Sequence, residues 1–313
     1  MIVLTGTTGG LGRVALQTIL EQKLVPTSEL RISASNTASI PSHVRDLGVE
    51  VRVGNLYEPS TLRASYAGAD VLFLVSYPSV GEERFALHRN AIDAAKDVGI
   101  KHMIYTSLSF CGSSEGNESM SRIMTAHLKT EAYLKASGLT YTIVRMASYA
   151  HLWNNFAGFL RLDEDGPQEV VLPGDGLGHW ADRKDLGEAT ARVIVNWKDY
   201  INETISLTGP ELLTGTDIIK KYTVHTGRPV NVRILPPADA IPWHIEHGSV
   251  DAAKAEFLGI WASWHEAMSR GEKAYIDPNL ERLLGRKPRT IDEQADEIFG
   301  SQNGLDVKDL VGI

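Results

Sequence analysis

The 313-residue chain has one cysteine, Cys111, so no internal disulfide can form and a reducing compartment is expected. Basic residues are outnumbered, 31 Lys and Arg against 39 Asp and Glu. The net charge of −8 argues against a protein that grips a phosphate backbone, so no nucleic-acid partner is expected. No apolar run reaches the roughly 18 residues of a membrane span, which argues against a membrane partner. The opening MIVLTGTTGG lacks a basic stretch and reads as a buried strand rather than a signal peptide, so a cytoplasmic location is expected. Repeats, low-complexity tracts and linkers are also missing. What remains is 43% hydrophobic and 22% charged, an ordinary globular balance with enough chain for one large domain or a domain plus a lobe.

Short apolar runs alternate with helical patterns through the first half. The runs are Ile2–Leu4, Leu30–Ser33, Val49–Val53, Val71–Val75, His102–Thr106 and Thr140–Val144. Most of them are β-branched and apolar without alternation, as strands covered on both faces of a parallel sheet must be. Leu11–Gln22, Ser60–Tyr66, Glu83–Val98 and Met120–Ser137 lie between them. Strand and helix in alternation predict an α/β fold, a doubly wound parallel sheet of the Rossmann type over residues 1–150, completed by segments from about 180–210. Residues 151–313 are richer in tryptophan and in Gly-Pro punctuation and read as a smaller α/β substrate-binding lobe. In it, Asp185–Asn196 is expected to be a helix capped by Asp185, Thr216–Thr226 and Ala252–Met268 are further helices, and the tail Ser301–Ile313 is expected to dock.

The strongest motif is Gly6-Thr7-Thr8-Gly9-Gly10-Leu11-Gly12, directly after the first strand and opening the first helix. Gly6 permits the tight turn, Gly9 lets backbone approach a pyrophosphate, and Gly12 lets helix and strand pack closely. The helix start offers free N–H groups and the positive end of its dipole to the anion. No Lys-Ser/Thr follows the glycines, so this is not a P-loop. An acid at the end of the second strand would select NAD, an arginine NADP. Ser33-Ala34-Ser35-Asn36-Thr37-Ala38-Ser39 contains neither. The missing acid favours NADP without excluding NAD.

Together the GTTGGLG turn, Leu72–Ser76 followed by Val80-Gly81, His88–Lys96, Tyr105–Leu108, His127–Glu131, Gly138–Arg145, Pro173–Gly176 and Arg183–Leu186 resemble the NmrA-like atypical short-chain dehydrogenases, most of all their quinone oxidoreductase branch. The resemblance runs over about residues 1–235. It implies NAD(P) along the C-terminal strand edge, with its pyrophosphate on Thr7–Leu11. Adenosine would lie near Ser33, Ser35, Asn36, Asn55 and Leu56, and nicotinamide near Val75, Ser76, Tyr77, Thr106 and Met146. NADP-binding relatives carry a basic residue after the second strand; Ser35 stands there in this chain.

Typical short-chain dehydrogenases use Tyr-x-x-x-Lys, which the relevant helix lacks. His127 and Glu131 take the two corresponding places, at i and i+4 on one helix face. His127 is the candidate general acid, oriented by Glu131 or simply paired with it at the surface. Ser107 and Tyr149 are further candidates for handling a substrate oxygen or proton. A quinone becomes aromatic on accepting hydride, so positioning alone can carry much of the catalysis. Trp153, Phe156, Trp243, Trp261 and Trp264 are candidate walls for a flat substrate.

Gly112-Ser113-Ser114-Glu115-Gly116 imitates a hydrolase elbow but lacks the strand-to-helix turn, and Ser109–Ser121 reads better as a mobile flap. Two imidazoles in His244-Ile245-Glu246-His247 do not make a metal site, and none is expected. Cys111 reads as a small buried residue. The expected function is reduction of a quinone or conjugated aromatic carbonyl compound by NAD(P)H, including biosynthetic reduction of an aromatic metabolite. A homodimer is compatible with it. The alternative from another class is a non-catalytic NAD(P)-binding redox sensor, because the fold would look the same.

Overall fold

Each β-branched run forms a strand and each helical pattern a helix, with small shifts at the ends. The computed structural model describes residues 1–79, 81–162, 166, 168–247 and 255–300. Val80, Pro167, residues 252–254 of an expected helix and the expected docking tail lie outside the described residues. The chain begins β1 (Ile2–Leu4), α1 (Gly10–Glu21), β2 (Leu30–Ala34), α2 (Ser42–Asp46), β3 (Glu50–Val53), α3 (Pro59–Tyr66), β4 (Val71–Leu74), α4 (Gly81–Asp97), β5 (His102–Leu108), α5 (Met124–Lys135) and β6 (Thr140–Met146). It continues with β7 (Ser148–Tyr149), α6 (Trp153–Phe156), β8 (Gln168–Leu172), β9 (Gly178–Ala181), α7 (Arg183–Val195), β10 (Glu203–Leu207), β11 (Leu212–Leu213), α8 (Gly215–Thr226), β12 (Val230–Ile234), α9 (Pro237–Glu246), α10 (Ala255–Ser269), α11 (Asn279–Leu284) and α12 (Ala295–Ile298). Among the described residues, no helix is long and apolar enough to cross a membrane.

Seven strands form one parallel sheet in the order β10-β6-β5-β4-β1-β2-β3. Side chains alternate between its faces. Ile2, Leu4, Phe73, Ile104 and Val144 meet α1, α7 and α11 on one face. Val3, Leu72, Leu74, Met103, Tyr105 and Ile143 meet α3, α4 and α5 on the other. The strand order reverses at β1, between β2 and β4. Beyond the carboxyl ends of such a switch point the crossover helices diverge and leave a crevice.

The later residues add a three-stranded sheet, β11-β9-β7, and a parallel pair, β12-β8. Their core is aromatic: Trp153, Phe156, Trp180, Tyr222, Trp261 and Trp264 are all buried. Ion pairs tie the last helices to α7, with Arg286 on Asp185 at 2.7 Å and Arg289 on Asp182 at 2.8 Å. The cap of α7 is Asp182, not the expected Asp185. A cap needs extended backbone, and Asp182 has it (φ −66, ψ 129), its carboxylate accepting from the Lys184 amide. Asp185 is already helical, and its buried carboxylate accepts from Arg286 and the Arg289 amide.

Gly12 is required by packing, because a Cβ there would drive into the Gly6 carbonyl oxygen. A Cβ on Gly9 would meet only that oxygen, at an ordinary 3.5 Å. Gly12→Ala should therefore cost about 2 kcal/mol in urea unfolding, while Gly9→Ala stays within about 1 kcal/mol of the parent. Equal losses would contradict this packing.

Several imidazoles are buried and held neutral. Burial lowers His88 to about 3, with Arg84 nearby adding to the effect, and burial lowers His102 to about 4. His265 is likewise lowered to about 4, chiefly by burial. The unfolded chain takes up these protons near pH 6.5 and the fold does not, so stability falls as pH drops from about 6.5 toward 4. At pH 5.5 each group should cost about 1 kcal/mol. Urea midpoints at pH 7.5 and 5.5 test this; equal midpoints would contradict it.

Candidate functional site

Thr5 follows β1 and clasps it to β4. Its hydroxyl donates to the Phe73 carbonyl (3.0 Å) and accepts from the Val75 amide (3.1 Å). The chain then turns at Gly6, whose φ of +64 is left-handed. A Cβ at Gly6 would also meet Val75 Cβ at 2.7 Å, so glycine is demanded twice. The turn delivers Gly9 as the N-cap of α1 with no side-chain cap and no acid in the first turn. These first-turn N–H groups therefore face the crevice without a protein carboxylate to satisfy them. The Arg183 side chain packs directly over Gly10.

A cleft of about 570 Å³ opens there, along the ends of β1, β2 and β4. Gly6, Thr7, Thr8, Gly9, Leu11, Ser33, Ser35, Asn36, Asn55, Leu56, Val75, Ser76, Tyr77 and Tyr149 line it, all singled out in the sequence. Gly10 and Gly12 do not; they serve the packing of the turn. Among the described residues, no acid lines the cleft. Four buried hydroxyls in its wall have no protein partner: Thr7 Oγ1, Ser33 Oγ, Tyr66 Oη and Ser76 Oγ. The Asn36 carboxamide accepts from the Ala38 amide (3.0 Å), and Asn55 folds its own turn through Tyr57 and Glu58. Arg45 donates to the Thr37 carbonyl at this end (2.5 Å). The open space at Gly9, the uncapped helix, the orphaned hydroxyls and the missing acids fit a dinucleotide.

A second chamber, about 120 Å³, joins the cleft through Val75, Ser76, Tyr77, Pro78 and Tyr149, which line both. Leu108, Ile123, Met146, Leu152, Phe156 and Trp264 supply its apolar wall. Phe156 stacks on Trp264 with ring centres 4.1 Å apart. The other expected wall residues are committed elsewhere. Trp153 donates to the Ile298 carbonyl, Trp243 stacks on His247, and Trp261 packs against His244. Thr106, Ser107, Ser148, Arg84 and His127 are its polar lining residues besides those shared with the cleft. The strap above it is pinned: the Ser76 amide donates to Thr106 Oγ1 (2.8 Å), the Tyr77 amide to His88 Nε2 (2.9 Å), and Arg84 Nε to the Tyr77 carbonyl (3.0 Å).

His127 is not partnered by Glu131, and neither lies at the surface. Both are 2% exposed. The Arg145 guanidinium takes Glu131 in a two-armed pair, at 2.7 and 3.1 Å, and Ser107 donates to the same carboxylate at 2.6 Å. His127 Nε2 accepts from Arg84 Nη1 (2.8 Å), so the ring proton sits on Nδ1, against Tyr105 Oη (2.8 Å). Burial first, then the charge of Arg84, holds its pKa well below the usual imidazole value. The ring thus presents no N–H to the chamber, and the Ser107 hydroxyl proton belongs to Glu131. Tyr149 is half-buried at the junction of the two spaces.

The expected flap is anchored. Arg145 Nη1 donates to the carbonyls of Ser113, Ser114 and Gly116, and Glu272 holds Ser119 and the Met120 amide. Cys111, in that loop, is half-buried rather than buried, and burial pushes its thiol up to about 11. Arg84 escaped the sequence reading. A signal was present: it precedes Leu87, His88 and Ala91 at helical spacing, which puts a cation on the buried face of α4.

The chain is similar to an NmrA-like family domain-containing oxidoreductase of Aspergillus flavus, 31% identical over 289 residues, 91% of each chain. Its fold matches an NADPH-dependent quinone oxidoreductase of Escherichia coli solved with NADPH, at a TM-score of 0.81 and 27% identity, covering 96% of this chain and 100% of that one. It also matches a triphenylmethane reductase of Citrobacter sp. solved with NADP(H), at a TM-score of 0.79 and 25% identity, covering 95% and 100%. Residues 1–293 match the NmrA-like family along their whole length, and the chain belongs to it.

Proposed function

We propose that this chain is an NAD(P)H-dependent oxidoreductase that reduces a quinone or a conjugated aromatic carbonyl compound. The observation that carries the reading is the junction of two unlike spaces. An acid-free cleft over an uncapped helix start opens directly into a small aromatic-walled chamber. The names of the relatives point the same way, since a quinone oxidoreductase and a triphenylmethane reductase are both named for conjugated ring compounds.

Residues 1–150, with segments from about 180–210, would form the coenzyme domain, and residues 151–313 the substrate lobe. The amides of residues 7–11 would hold the diphosphate, with Ser33, Ser35, Asn36, Asn55 and Leu56 around adenosine. Ser76, Tyr77, Thr106, Met146 and Tyr149 would flank the nicotinamide, which when reduced supplies hydride. NADP is preferred. No acid at the end of β2 repels a 2′-phosphate, the loop offers hydroxyl donors, and Arg45 lies beside it.

His127 acts by position. As a neutral acceptor it fixes the Arg84 guanidinium, while Glu131 and Arg145 neutralise each other beneath the floor. Trp264 and Phe156 exclude water and orient a planar ring. Neither His127 nor Ser107 has a proton to offer the chamber, so the proton that completes reduction would come from Tyr149 or from solvent at its mouth. The pH dependence of turnover should then show no ionisation assignable to His127.

The test is oxidation of NADPH and NADH in the presence of naphthoquinones, triphenylmethane dyes and aromatic ketones. Turnover of at least one class is expected, with kcat/KM at least tenfold higher for NADPH. Coenzyme binding without turnover of any class would overturn the catalytic reading in favour of a redox sensor.

A further inference from the structure

We propose that Arg84 makes the chamber a site for aromatic ligands carrying an anionic oxygen, such as an ionised hydroxyquinone or an aromatic carboxylate. The proposal deepens the reading above and rests on it for the placing of the chamber beside the coenzyme cleft.

Arg84 is 4% exposed and lines the chamber. Its guanidinium carries five N–H donors. The protein accepts two of them, at the Tyr77 carbonyl and His127 Nε2. Both acceptors are neutral. Among the described residues, no carboxylate comes within 4.0 Å of it. The buried carboxylate below the same floor, Glu131, is already matched by Arg145. A cation buried without a counter-charge is costly, and a lone arginine of this kind is most economically explained by an anion that arrives from outside.

The neighbouring groups hold this arrangement. His127 and His88 present acceptor nitrogens to Arg84 and to the Tyr77 amide, and their burial keeps both rings uncharged. Tyr105 fixes the far nitrogen of His127, and Thr130 that of His88 (3.0 Å). The guanidinium is therefore aimed before any ligand enters. Leu108, Ile123, Leu152, Phe156 and Trp264 keep the surroundings apolar, which strengthens its attraction for a negative oxygen. Flat rings are favoured by the stacked Phe156–Trp264 wall, and within that class an anionic oxygen selects further. His127 is here a positioning residue; Arg84 touches the ligand.

Calorimetric titration of the full chain, with and without saturating NADP⁺, tests the proposal. The two probes are 2-hydroxy-1,4-naphthoquinone, ionised at neutral pH, and its neutral 2-methoxy analogue. At least tenfold tighter binding of the hydroxy compound is expected. Arg84→Gln should remove that preference while the neutral methoxy probe still binds, and Arg84→Lys should restore part of it. Equal affinity of the parent protein for the two probes, or a preference that survives in Arg84→Gln, would overturn it. Should Arg84→Gln not fold, the comparison in the parent protein decides. The readout is heat rather than turnover, so a failure of the reductase reading (no NADP⁺ binding, no quinone reduction) is seen separately from a failure of this one.

Discussion

The uncapped start of α1 is the constraint around which the molecule is arranged. A helix leaves its first N–H groups without partners, and proteins normally supply a Ser, Thr or Asp to answer them. Here Gly9 stands in that position, no acid follows, and the turn lies where the strand order reverses. Gly6 and Gly12 are forced by contacts with Val75 and with the Gly6 carbonyl, whereas the space above Gly9 is left open. Packing explains two of these glycines, and a bound diphosphate would explain the third. The orphaned hydroxyls of Thr7, Ser33 and Ser76 continue the same pattern along the cleft.

Charge below the neighbouring chamber is distributed with equal economy. Two arginines and one carboxylate are buried within a few residues of its floor. Arg145 uses Glu131 on one side and three loop carbonyls on the other, so it joins β6, α5 and the 109–121 loop into one rigid unit. Arg84 has neutral acceptors instead. The difference between the two arginines separates a structural ion pair from a cation held for a ligand. The buried histidines follow from the same design: a neutral imidazole accepts from a guanidinium or an amide without adding charge to a low-dielectric interior.

Much of the fold was legible because its signals are local. Val71–Leu74 and the Ile143–Val144 centre of β6 are continuously apolar, and a covered parallel strand has few other compositions. The glycine turn was legible for the same reason, as was most of the cleft lining. β10 was harder, since Glu203–Leu207 joins β6 only after the whole intervening lobe. The i, i+4 spacing of His127 and Glu131 correctly put them on one helix face. It carried no information about β5, β6 and α4, whose Tyr105, Arg145 and Arg84 claim those side chains instead. Aromatic residues were equally opaque: of five tryptophan and phenylalanine candidates, only Phe156 and Trp264 reach the chamber. Which rings a lobe buries and which it offers to a ligand depends on long-range packing.

The most direct measurement is isothermal titration of the folded chain with NADPH and NADH. Saturable binding at one site, tighter for NADPH and lost in Gly9→Val at unchanged fold, is the expected result. Absence of heat with either coenzyme would contradict the role assigned to the open helix start, and with it the oxidoreductase reading.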